Sequence, residues 1–293
     1  MKTTLATILF ISFFGAVAAQ TLPAKLEELT APDFIKAVEM SSQTCILPIG
    51  VFEKHGPHMP LGTDLLAARE ISLRAAQKEY TVVFPWYYFS QINEARHQPG
   101  TIAYSPELIW KVLQETLDEL NRNGFRKIII VNGHGGNNAF LNYFGMAQLS
   151  EKREYALYVF QPSENPEVVK AAEKLTFQDP NDQHAGNTET SSMLDIVPDL
   201  VHKDRAGLQS GEDQARMKQL DHVYSGIWWY ARFPNHYSGD GSKAAPQAGK
   251  LLNDDEVKQL VEVIRKVKAD KVIPGLQEQF YREAADPLRT NQN

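Results

Sequence analysis

The sequence has almost no cysteine. Of its 293 residues only Cys45 carries a thiol, which excludes an intramolecular disulfide framework and any metal site built from several thiolates. A metal ion bound by this chain would therefore need histidine and carboxylate ligands, which suit hard or borderline divalent ions.

The sequence also lacks an excess of positive charge. It contains 30 Lys and Arg against 36 Asp and Glu, which gives a net charge of −6. A basic surface that attracts nucleic acid or anionic lipid is therefore not expected. We expect no nucleic-acid partner for this protein.

Long hydrophobic runs are missing outside the N-terminus. Lys2 precedes a mostly apolar stretch over 5–17, and small residues follow at 16–19, an arrangement typical of a secretory signal peptide. The alternative is a membrane anchor, but about a dozen apolar residues is short of the roughly 20 that a span needs. We therefore predict a signal peptide over 1–19, a protein exported to the periplasm or secreted, and no membrane association after cleavage.

The remaining residues, 20–293, have the composition of a globular domain. The chain is 43% hydrophobic and 23% charged, and it shows no repeat, low-complexity tract or linker. Helical and strand patterns alternate, which predicts an α/β fold with a mainly parallel sheet. Strands are expected at 44–49, 81–88, 127–132 and 155–161, and helices near 65–79, 138–151 and 254–272. Further helices are expected to begin at the caps Thr30 and Ser105.

Three polar clusters stand at predicted junctions between strands and helices. In the first, Glu53 and His55 are two residues apart beyond a strand, so that both side chains face the same side. A loop rich in glycine and proline then leads to Asp64, which it can bring back toward the pair. The alternative is a surface loop with incidental charges.

The second cluster is Asn-Gly-His-Gly-Gly-Asn at 132–137, directly after the most apolar strand. Ligands of open α/β sheets bind beyond the carboxyl ends of strands, where His134 is expected to lie. A phosphate-binding loop is the alternative, but the segment has neither the dinucleotide fingerprint nor a P-loop lysine.

The third cluster contains His184 and Glu189 around a predicted helix start, with Asn187 or Thr188 as the expected cap. Glu189 alone could be a first-turn carboxylate that the helix dipole favours. Three such clusters together favour a divalent-metal site.

These residues resemble three signatures of the creatininase (creatinine amidohydrolase) family. The matching segments are residues 47–64, which include Glu53-x-His55-Gly56-Pro57-His58, residues 132–137, and His184-Ala185-Gly186-x-x-Glu189-Thr190-Ser191. The resemblance implies a three-layer α/β/α fold, one or two divalent ions such as Zn, Mn or Fe, and a homo-oligomer, often a hexamer.

The resemblance also implies roles for individual residues. It assigns Glu53, His55, Asp64 and His134 as metal ligands, with Asp64 as the bridge between two ions, and we add Glu189 as a fifth ligand. Creatininase has a glutamate where this chain has Gly136, so that the number of ions is open. The histidine that matches His184 is expected to transfer a proton between water and the leaving nitrogen.

Substrate contacts are expected from the glycine-rich segment and from the region before Pro99-Gly100-Thr101. The candidates are Gly135, Gly136, Asn137 and His97. Many family members have a Glu-His pair before Pro-Gly-Thr, whereas this chain has Glu94-Ala95. Ligand spacing is missing at three further histidines, His202, His222 and His236. We expect them to be exposed or structural.

The sequence therefore predicts an exported metal-dependent amidohydrolase that cleaves a C–N bond of a small amide, either a cyclic one such as creatinine or a formamide. Metal-activated water is the expected nucleophile. The alternative is a periplasmic binding protein for metal or small molecules that lacks turnover, which a proton-transfer histidine at His184 argues against. A phosphoesterase ranks last, because few cationic groups accompany the motifs.

Overall fold

The computed structural model describes residues 22–176, 179–220 and 222–290. The predicted signal peptide, residues 1–19, lies outside the described residues. None of the helices in the described part of the chain combines the length and the hydropathy that a membrane span requires.

A parallel sheet of four strands forms the centre of the fold. The strands are β1 (Thr44–Ile49), β2 (Val82–Val83), β3 (Lys127–Asn132) and β4 (Ala156–Phe160), in the order β2-β1-β3-β4. β1 and β3 pair along their whole length, from Thr44 opposite Lys127 to Ile49 opposite Asn132. Their continuous apolar residues are buried on both faces, as expected for central strands of a parallel sheet.

Helices cover both faces of the sheet and give the predicted three-layer α/β/α architecture. The helices are α1 (Ala31–Met40), α2 (Thr63–Lys78), α3 (Pro106–Arg122), α4 (Asn138–Ala147), α5 (Pro166–Glu173), α6 (Asn187–Ile196), α7 (Trp228–Arg232), α8 (Pro246–Ala269) and α9 (Val272–Ala285). On one face, α1, α3 and α4 pack against Leu47 and Ile128; on the other, α2 and α8 pack against Ile46 and Ile129.

Short 3-10 helices occupy several of the connections. They span Leu26–Glu28, Asn93–Ala95, Gly135–Asn137, Gln148–Ser150, Pro198–Leu200, Lys203–Leu208, Gly241–Lys243 and Pro287–Arg289. The two predicted caps are confirmed, because the side chain of Thr30 accepts a hydrogen bond from Asp33 N and that of Ser105 accepts one from Leu108 N.

Two predicted element boundaries are wrong. The strand expected over 81–88 is regular only at Val82–Val83, because Pro85 has no N–H to donate and Pro48 removes a donor from the facing strand. The helix expected over 254–272 begins at Pro246 and ends at Ala269, since the proline favours the first helical position.

Candidate metal centre

The first two candidate ligands, Glu53 and His55, lie just beyond the end of β1. Both are about 1% exposed. Glu53 N donates to Leu61 O at 3.0 Å and Met59 N donates to His55 O at 3.3 Å, which closes the segment into a fixed loop. That loop returns the chain to the start of α2.

The start of α2 supplies Asp64, and two glycines let it approach the sheet. A Cβ at Gly133 would lie 2.4 Å from Asp64 O, and a Cβ at Gly50 would lie 2.8 Å from Asp64 Cβ. Neither position could carry a side chain without displacing the first turn of the helix. The sheet and α2 therefore meet at Asp64 because these two residues are glycines.

His134 follows β3 and completes the group. Its Nδ1 lies 2.8 Å from Glu53 Oε1 and 3.2 Å from Asp64 Oδ2. The other carboxylate oxygen, Asp64 Oδ1, lies 3.0 Å from His55 Nε2. Asp64 thus directs one oxygen toward each histidine.

His184 and Glu189 reach the same place from a distant part of the chain. His184 pairs with Ser238 through the backbone, and its ring centroid is 4.3 Å from that of His55. Its Nε2 is 2.9 Å from Lys54 O, so that Nε2–H donates to that carbonyl and the other ring nitrogen, Nδ1, lies on the side of Glu189. Glu189 Oε2 accepts from Ala185 N at 2.6 Å and lies 3.9 Å from His184 Nδ1.

The buried carboxylates of the cluster are stabilised by positive charge on neighbouring histidines. Burial raises the pKa of Glu53, but the nearby His134 and His184 outweigh it and hold that pKa well below its usual range. Burial lowers the pKa of His55, but Asp64 and then Glu53 raise it to about 9. The pKa of His134 is likewise raised, against burial, by Glu53 and Asp64. Protons on the histidines therefore balance the buried carboxylates.

These residues fit a divalent ion. In the described ranges, Glu53 Oε1, Asp64 Oδ2 and His55 Nε2 are buried without a hydrogen bond of acceptable geometry, which is costly for polar atoms. Two triads have ligand atoms within 4.8 Å of one another, and they share Glu53: one adds His55 and His184, the other Asp64 and His134. Oxygen and imidazole nitrogen ligands in this number suit Zn or Mn.

The predicted substrate residues lie at different depths. Asn137 is buried, and its side chain bonds to Ser90, Gln91 N and Asn132. His97 is exposed, and its Nε2 lies 2.9 Å from Pro234 O. Gly135 and Gly136 begin the short helix after His134. The role of all four residues in substrate binding stays a prediction.

The predicted cap of α6 is wrong. Gly186 occupies the N-cap position, and Asn187 and Thr188 already belong to the helix. Asp182 takes over the capping, because its Oδ2 accepts from Thr188 N at 2.9 Å and from Thr188 Oγ1 at 2.7 Å. A side chain six residues back thus satisfies the helix start, which local sequence rules do not detect.

Two residues of the site were not predicted. His236 is 2% exposed, and its Nε2 bonds to Glu53 Oε2. Burial lowers the pKa of His236 to about 4, so that its ring is neutral. Glu94 Oε1 lies 3.7 Å from His134 Nε2. A Cβ at Gly136 would come within 2.4 Å of both atoms, so the glycine makes room for Glu94 there.

Comparison with known proteins identifies the family of the chain. The family model described as creatinine amidohydrolase matches residues 27–264. A creatinine amidohydrolase of Pseudomonas putida is 27% identical over 191 residues, which cover 61% of this chain and 74% of that protein. The mycofactocin precursor peptide peptidase of Mycolicibacterium smegmatis is 32% identical over 168 residues, which cover 54% of this chain and 60% of that protein.

Solved structures with the same fold also match. A crystal structure of creatinine amidohydrolase (creatininase) superposes with a TM-score of 0.74 at 21% identity, over 86% of this chain and 100% of that one. Other matching creatininase structures are described as a Mn form and, for a mutant, a Zn-Zn form. The structural likeness supports the fold, and the family model spans most of the sequence. The chain therefore belongs to the creatininase (creatinine amidohydrolase) family.

Proposed function

We propose that this protein is a metal-dependent amidohydrolase that cleaves the C–N bond of a small amide, such as a cyclic amide like creatinine or a formamide. The observation that carries the proposal is the convergence of Glu53, His55, Asp64 and His134, in which Glu53 Oε1, His55 Nε2 and Asp64 Oδ2 are buried without a hydrogen bond of acceptable geometry to the described residues. The two relatives above, an amidohydrolase and a peptidase by name, support hydrolysis of an amide bond.

The metal is proposed to be one or two divalent ions of Zn, Mn or Fe. Two ions are favoured by the orientation of Asp64, because its two oxygens face different histidines, His55 and His134. The Mn and Zn-Zn forms of creatininase support the first two metals. Glu189 is proposed as a further ligand, since its Oε2 lies 3.9 Å from His55 Nε2.

The chain's own residues supply the remaining chemistry. A bound divalent ion would lower the pKa of water toward 7 and polarise the substrate carbonyl. His184 can accept a proton at Nδ1 and return it to the leaving nitrogen, because its Nε2–H is held by Lys54 O. In the loop after β3, the N–H groups of Gly133, His134 and Asn137 bond within the protein. The N–H groups of Gly135 and Gly136 are therefore our candidates for stabilising an oxyanion.

One cavity touches only part of the candidate site. It has a volume of about 260 Å³ and is lined by Asp64, Gly133 and Glu189 but not by Glu53, His55 or His134, so its volume sets no limit on the size of the substrate. It shares Thr188 and Glu256 with a neighbouring cavity of about 760 Å³. Larger amides therefore belong in any substrate survey.

The test combines metal analysis with an activity survey. Protein purified without chelator is analysed for bound metal, and release of amine or ammonia is measured with creatinine, other cyclic amides, formamides and short peptides. We expect bound metal and turnover that is lost with chelator and restored by metal. Bound metal without turnover of any substrate would favour a binding protein, and absence of metal after reconstitution would overturn the site.

Export and assembly are further proposals. We propose that residues 1–19 are a signal peptide, so that N-terminal sequencing of the protein from its native host should find a start near Gln20. We also propose a homo-oligomer, a hexamer by analogy with the family. Light scattering coupled to size-exclusion chromatography should then give a mass several times that of one chain, and a monomer would contradict it.

A further inference from the structure

The segment after α7 carries a histidine in an uncommon backbone conformation. His236 has a φ of 50°, in the left-handed region where residues other than glycine are rare. The turn is closed by His236 N, which donates to Phe233 O at 3.0 Å. This turn directs the imidazole into the protein interior, between Trp229 and Glu53.

The hydrogen bonds of His236 determine which of its nitrogens carries the proton. Trp229 Nε1 lies 2.8 Å from His236 Nδ1, and an indole N–H can only donate. His236 Nδ1 must therefore be the acceptor, and the proton of the neutral ring is on Nε2. That N–H points at Glu53 Oε2, which accepts it.

The consequence concerns Glu53, which belongs to both candidate metal triads. One of its oxygens, Oε2, is bound by His236. The other, Oε1, is buried without a hydrogen bond of acceptable geometry to the described residues, and it lies 2.8 Å from His134 Nδ1 and 3.8 Å from His55 Nε2. Oε1 is thus the oxygen that faces His55 and His134.

We infer that Trp229 and His236 act as a positioning pair, which holds Glu53 so that one oxygen is bound by protein and the other is presented to the metal. The inference rests on the proposed metal site and extends it to two residues outside the matched motifs. Partners behind a metal ligand commonly fix its orientation and raise its affinity for the ion. The pair also adjoins His184, whose ring centroid is 4.5 Å from His236 and 5.8 Å from Trp229.

The test compares three variants of the purified protein. His236→Phe removes the donor to Glu53, His236→Gln keeps an N–H donor on a side chain of similar reach, and Trp229→Phe keeps an aromatic ring but loses the indole N–H. The dissociation constant for Zn²⁺ is measured on folded protein by competition with a chromophoric chelator. His202→Gln is the matched control, because His202 is exposed.

We expect His236→Phe to bind Zn²⁺ about 10–100-fold more weakly than wild type. His236→Gln should recover part of that loss, and Trp229→Phe should give a smaller loss because the histidine can still donate. A merely structural role would lower thermal stability in all three without this order of affinities. If His236→Phe does not fold, the Zn²⁺ affinities of wild type, His236→Gln and Trp229→Phe test the inference in the same way.

Unchanged Zn²⁺ affinity in the folded His236 and Trp229 variants would overturn the inference. A wild-type protein that binds no metal would instead overturn the proposed function. The two failures are therefore distinguishable. The absorption spectrum of Co²⁺-substituted protein gives a second readout, since altered orientation of Glu53 should change the d–d bands in His236→Phe but not in His202→Gln.

Discussion

Replacing Gly136 by alanine should damage the metal site through a steric conflict that the structure quantifies. The added Cβ would lie 2.4 Å from both Glu94 Oε1 and His134 Nε2, where ordinary contact begins near 3.4 Å, an overlap of 1.0 Å. Glu94 is 20% exposed and can swing away. His134 is held on its other edge by Glu53 and Asp64 and has no such freedom.

We therefore expect Gly136→Ala to lower the free energy of unfolding by about 1–3 kcal/mol, the usual cost of overpacking a buried site. We also expect it to weaken metal binding, because a displaced His134 no longer directs Nδ1 toward Glu53 and Asp64. Adding Glu94→Ala should relieve only half of the conflict, since the contact with His134 persists. The double variant should lie between wild type and Gly136→Ala in stability.

The assay has a control at the neighbouring residue. A Cβ at Gly135 would have nothing within 4 Å, so Gly135→Ala should change stability by less than about 0.5 kcal/mol. Chemical denaturation of metal-free protein gives the free energy, and chelator competition gives the metal affinity. Equal effects of the Gly135 and Gly136 substitutions would refute the reasoning.

Three further predictions follow from the site and the core. Because the pKa of His55 is raised to about 9 and that of His134 is also raised, both are protonated in the metal-free protein at pH 7. Metal must displace those protons, so affinity should fall as the pH drops below about 9. Calorimetry in buffers of different ionisation enthalpy should report about two protons released at pH 7, and release near zero would contradict the pKa shifts. Asp64→Asn should reduce the bound metal per chain, measured by mass spectrometry, because a neutral amide cannot bridge two ions as a carboxylate can; an unchanged ratio would argue against the bridge. Leu117→Ala, at a core position with 0% exposure, should cost about 2–5 kcal/mol by chemical denaturation. Leu288→Ala, at 97% exposure, should cost little, and similar losses would contradict the assigned core.

The central strands could be predicted because their signal is local. β1 and β3 have the predicted bounds, 44–49 and 127–132, since continuous apolar runs of this length suit buried parallel strands. The strand expected from 81 to 88 was overestimated, because apolar and aromatic residues are present but Pro85 prevents regular pairing. The composition predicted a strand there, but a proline without an N–H to donate limits its length.

The candidate site likewise combines residues that local motifs identify with a residue that they do not. Glu53 and His55 are close in sequence, and His134 follows a recognisable strand, so that motifs could identify them. His236 stands 183 residues from Glu53 and has no ligand spacing. Its place in the site depends on the turn after α7 and on Trp229, which only the tertiary structure brings together.

The metal centre is tested most directly by the metal content of the protein purified without chelator, compared with that of His134→Ala. We predict one or two divalent ions per wild-type chain, loss of metal in the variant, and amide hydrolysis that follows the metal. A wild-type protein without metal, even after reconstitution with Zn²⁺ or Mn²⁺, would contradict the claim that Glu53, His55, Asp64 and His134 form a metal centre.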